Sequence, residues 1–93
     1  MSIVKQQKKH KWCENDDIIA LYLTLHGSEL LGTSRAKVSE KMGIKDGSMK
    51  MRISNFNGKF EHIAKQSINV FQKYEKLSEP ELRSIVIGIL ARN

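Results

Sequence analysis

From Gly47 to Lys59 the chain reads GSMKMRISNFNGK and carries no acidic residue. The side chains in this run that could do chemistry are Ser48, Lys50, Met51, Arg52 and Asn55. If the run is helical, Met49, Ile53 and Phe56 fall at i, i+4 and i+7 and form a packing stripe, leaving those five around an outer arc. Their chemistry is recognition of a duplex. Arginine forks onto guanine O6 and N7, asparagine onto adenine, serine onto a phosphate or base edge, and lysine onto phosphate or guanine. Methionine can touch a thymine methyl or be partly buried against a neighbour. A charged, solvated helix face is the plain alternative. Ordinary exposed helices mix both signs, and the missing acids count against it.

The elements that must position this arc are legible upstream. Thr33 or Ser34 caps a helix from about Arg35 to Met42, with Ala36, Val38, Ser39 and Met42 inward. Gly43 closes it, and Ile44 packs back just past the cap. Asp46 or Ser48 caps the next helix, over about 47–57. Two short helices joined by a tight glycine-bearing turn form a helix-turn-helix, whose second helix can enter the major groove. Within it Arg52 and Asn55 are candidates for reading bases, while Arg35, Lys37 and Lys45 hold the phosphate backbone.

Residues 1–11 form a basic, aperiodic arm with Lys5, Lys8, Lys9 and Lys11 and no acid. Lys8, Lys9 and Lys11 would lie along a backbone or enter a minor groove; a solvated tail is the alternative. Residues 12–93 then form one helical domain. Trp12 staples a first helix in which Cys13 takes the N-cap place, with Asp16 three residues on. Ile18, Leu21, Tyr22 and Leu25 are its stripe, and Gly27 ends it in a left-handed C′ position. Leu30 and Leu31 are expected in a short buried turn. Residues 59–77 are amphipathic through Phe60, Ile63, Ala64, Ser67, Phe71 and Tyr74, either as one helix or as a loop followed by a helix capped by Ser67. Ser78-Glu79-Pro80-Glu81 is a capping box with proline in the first turn. It opens a last helix with Leu82, Ile85, Val86, Ile89 and Leu90 inward. Ile87 breaks that pattern and marks a contact within the fold or a homodimer surface. The expected architecture is all-α, with about five helices and a central helix-turn-helix.

The totals narrow the function. Ninety-three residues make one domain. Its net charge of +6 is concentrated: residues 13–31 are net −4 and residues 32–60 net +5. Positive charge on the arm and the helix pair is the footprint of phosphate neutralisation. No apolar run approaches the ~18–20 residues of a membrane span, and no leader pattern is visible, which makes cytoplasmic the default location. One cysteine and three unspaced histidines offer no zinc set, and no cofactor motif occurs. No nucleophile–base pair, paired carboxylate or phosphate loop is present, so the chain does not read as an enzyme.

Trp12 followed by acids, IIALYL, a helix ending in Met-Gly, and GSMKMRISNF together resemble a helical DNA-binding module found ahead of HNH (restriction-type) endonuclease domains. The resemblance covers roughly residues 12–77, with Ser48, Met51, Arg52, Asn55 and Phe56 at the matching positions. It implies double-stranded DNA as partner in a restriction- or phage-related setting, here without the nuclease core. The alternative expectation is a small interaction module, a phage-type inhibitor or adaptor, whose basic face meets an acidic protein partner.

Overall fold

Six consecutive apolar residues, Ile18 to Leu23, cannot all lie on one side of a helix. In the computed structural model, which describes residues 11–57 and 64–92, every residue from Asp16 to Leu23 is buried. This segment is the middle of α1 (Glu14–His26), and the other helices are arranged around it. A 3₁₀ turn (Glu29–Leu31) follows, then α2 (Arg35–Met42), α3 (Asp46–Asn57), α4 (Lys65–Tyr74) and α5 (Glu79–Ala91). No strand occurs among the described residues. α1 packs against α3, α4 and α5, while α2 leans on α3 and α5. Among the described residues the chain adopts the expected all-α architecture, with five α-helices.

The helix ends follow local chemistry. Cys13 is the N-cap of α1, and its backbone N–H donates to the Asp16 carboxylate at 3.1 Å. Ser34, rather than Thr33, caps α2 by accepting from the Lys37 N–H at 3.2 Å. Gly43 takes the left-handed conformation (φ 73°, ψ 26°), and Ile44 is buried just beyond it. Ser78 and Glu81 close the box at the start of α5: the Ser78 N–H donates to Glu81 at 2.9 Å, and the Glu81 N–H returns to Ser78 Oγ at 3.3 Å.

Several expectations are corrected. Leu25 and Leu30 are exposed, and the buried residues of α1 include Ile19, Ala20 and Leu23, because the middle of this helix is enclosed on all sides. Ala36 is exposed on α2. Gly27 has a positive φ of 76° with ψ −166°, an extended glycine-favoured conformation and not the left-handed cap. Asp46 is the first residue of α3, and its carboxylate turns to Arg35. α4 starts at Lys65, so Ser67 lies inside the helix and is fully buried. Phe60 and Ile63 fall outside the described residues.

The core is Ile18–Leu23 of α1 with Val38, Ile44, Met49, Phe56, Val70, Leu82, Val86 and Ile89. Each large side chain among these contributes about 1.5–3 kcal/mol by leaving water. Tyr22 is buried to its hydroxyl, which donates to Glu79 at 2.6 Å and so ties the centre of α1 to the first turn of α5. Burial first, then the Glu79 hydrogen bond, pushes its pKa up to about 12.

Candidate nucleic-acid interface

The rotation of α3 about its axis decides which residues it offers to a partner. Met49 and Phe56 are buried and Ile53 is half-buried, as their spacing predicts. A polar clamp on the same side fixes the rotation. Asp17 of α1 is completely buried, and each of its carboxylate oxygens accepts two hydrogen bonds. Oδ1 takes Arg52 Nε at 2.7 Å and Ser67 Oγ at 2.9 Å. Oδ2 takes Arg52 Nη2 at 2.8 Å and Gln66 Nε2 at 2.7 Å. Gln66 also donates to the Trp12 carbonyl at 3.1 Å, and the Arg52 guanidinium lies 4.4 Å from the centre of the Trp12 ring. A buried carboxylate requires this full set of donors, and it gathers them from α3 and α4.

Arg52 is therefore not on the outer arc. Its side chain is only 14% exposed, and its two-pronged face is committed to Asp17. The expectation that it reads bases is corrected by this placement. The Nε and Nη2 edge that would be offered to a guanine holds the carboxylate instead, and the guanidinium lies over Trp12. The spacing itself carries the signal, since Arg52 stands three residues after Met49 and four before Phe56, on the packed side.

Gly47, Ser48, Lys50, Met51 and Ser54 are exposed on α3, Met51 at 67%, and Asn55 is half-buried at the margin. Ser54, four residues beyond Lys50, was not among the expected candidates. Lys37 and Lys41 of α2 and Lys45 of the turn are also exposed. Lys41 too is an addition, visible in sequence as the residue four after Lys37. Lys37, Lys41, Lys45 and Lys50 form no ion pair among the described residues. Arg35 is differently placed. Its guanidinium grips Asp46 at 2.9 and 3.1 Å, joining the first turns of α2 and α3. Those hydrogen bonds hold the Asp46 carboxyl below the usual carboxylate range, with Lys50 adding to the effect. Arg35 thus neutralises the single acid of α3, although both partners stay partly open to water. Lys11 is exposed, whereas Lys8 and Lys9 lie outside the described residues.

The described residues contain no cluster of three or more histidine, cysteine or acidic side chains able to hold a metal. None of their helices is long and apolar enough to cross a membrane. No protein-family model matches the chain, and no characterised protein or solved structure is significantly similar to it.

Proposed function

We propose that the chain binds double-stranded DNA, with α2 and α3 acting as a helix-turn-helix and the outer face of α3 in the major groove. One observation carries this reading. The exposed side of α3 is free of unpaired acid and built mostly from small or uncharged residues, and α2, the turn and α3 carry four exposed lysines that form no ion pair among the described residues. Gly47, Ser48 and Ser54 let the helix approach closely, and Met51 and Asn55 supply contacts to base edges. Lys37, Lys41, Lys45 and Lys50 neutralise phosphates. The resemblance of this stretch to modules ahead of HNH endonucleases supports the same reading and suggests a restriction- or phage-related role.

The test is binding of the full chain to a pool of random duplexes, followed by titration of a selected sequence at several salt concentrations. Selection should enrich a short motif. The affinity for it should fall with salt at a log–log slope of about −4, roughly 0.9 per neutralised phosphate. No binding near physiological ionic strength, with capture of an acidic protein instead, would replace this reading by the interaction-module alternative.

A further inference from the structure

α5 turns Leu82, Val86 and Ile89 into the core. On the opposite side Pro80, Ser84, Ile87 and Ala91 follow one another at three- and four-residue steps, all exposed and none charged. Ile87 is 51% exposed, and no described residue of the fold covers it. Beside it Gly88 has space above: a Cβ there would meet only the Arg92 side chain, at 3.7 Å. The fold itself does not require glycine at this position, whereas a helix crossing here would profit from the open backbone.

The charges at the two ends of this face say what covers it. Glu81 and Arg92 are both exposed and lie on the same flank, six residues before and five residues after Ile87. At 1.5 Å per residue they stand about 9 Å and about 7.5 Å from it along the axis. A second α5 running antiparallel, with its Ile87 on the first, brings each Glu81 level with the other copy's Arg92. A parallel two-fold arrangement puts the two charged flanks on opposite sides of the contact, where neither Glu81 nor Arg92 meets a partner. We infer that a second copy of this chain packs antiparallel on the outer face of α5, with Ile87 at the two-fold axis and Glu81 paired with Arg92 across it. One helix face falls below the ~1,200–2,000 Å² of standard stable interfaces, so the dimer is weak and concentration-dependent. The inference does not rest on DNA binding.

Sedimentation of the full chain over a rising concentration series should show reversible dimerisation. Ile87→Glu, at an exposed position, should keep the helical circular dichroism and weaken association by about tenfold or more, because it buries two facing charges. Arg92→Glu should weaken it several-fold at low salt and less at high salt. Orientation is read by disulfide trapping in a Cys13→Ser background. Ile87→Cys should cross-link readily, whereas Ala91→Cys should not, since the antiparallel geometry holds those positions beyond the ~7 Å Cα limit of a disulfide. A chain that stays monomeric at its solubility limit, an Ile87→Glu variant that associates normally, or equal trapping at positions 87 and 91 would overturn the proposal.

Discussion

Arg52 and Asp17, thirty-five residues apart in sequence, meet through two parallel hydrogen bonds of 2.7 and 2.8 Å, with the carboxylate wholly out of water. The pair sets the rotation of α3 against α1 and thereby chooses which residues face outward.

The costs of removing the two partners should not add. Asp17→Ala leaves the Arg52 charge buried against Trp12 without its carboxylate, a loss of about 3–5 kcal/mol. Arg52→Met should cost less, because Gln66 and Ser67 still donate to Asp17. The Asp17→Ala, Arg52→Met double variant should be more stable than the sum of the single losses predicts. Urea-unfolding midpoints of the four proteins measure the coupling, and simple additivity would show that the pair does not act as a unit.

At alkaline pH the relevant group is Tyr22. Its pKa in the fold is about 12, raised by burial and by Glu79 from an ordinary value of 10.0. The unfolded chain loses this proton first, so the contribution is complete below about pH 10 and is lost as pH rises towards 12. Tyr22→Phe removes the hydrogen bond to a charged acceptor, at a cost of about 1.5–3 kcal/mol near neutrality. The stability gap between wild type and Tyr22→Phe should therefore narrow between pH 10 and 12. Thermal melts of both proteins across that range read it directly.

Gly43 sits at φ 73° in the turn between α2 and α3. A Cβ would meet no neighbour there, so substitution acts only through the backbone. Gly43→Ala should destabilise the fold by about 1–2 kcal/mol, and Gly43→Asn by less, because asparagine tolerates the left-handed region. Equal losses for alanine and asparagine in chemical denaturation would locate the requirement elsewhere.

For DNA binding, the two classes of residue on the α2–α3 surface should behave differently. Lys45→Ala and Lys50→Ala should each lower the salt slope by about 1 and weaken binding to all duplexes alike. Met51→Ala should leave the slope unchanged but abolish discrimination between thymine and uracil at one selected position, which in the unaltered protein is expected to be severalfold. Anisotropy titrations with thymine- and uracil-containing duplexes separate the two. An altered slope for Met51→Ala would assign it to the wrong class.

Some of the helix ends were legible in the sequence because they depend on neighbours a few residues away. Ser34, Gly43 and the Ser78–Glu81 box needed only local chemistry to be read. The stripe Met49–Ile53–Phe56 was legible for the same reason. Arg52 was not, since its charge suggested solvent and its partner lies on another helix. Asp17 was similarly disguised: an acid in a first turn is explained by the helix dipole, although its four-residue step to Leu21 places it on a packed side. The enclosure of α1 was written in its unbroken apolar run. The expected stripe took only part of that run and so left Ile19, Ala20 and Leu23 unassigned. Lys37, Lys45, Ser48, Lys50 and Met51 came out exposed as expected, because nothing distant competes for them.

The enclosure of α1 has a cost during synthesis. The enclosed middle of this helix gains little by forming alone; α3 and α4 can cover part of it first, and Leu82, Val86 and Ile89, some sixty residues later, complete the enclosure. At a translation rate of about 5–20 residues per second, Ile18 to Leu23 precede those closing residues by roughly 3–12 s. Throughout that interval the nascent polypeptide keeps at least one side of its stickiest segment open, and the segment is fully hidden only once α5 has been made.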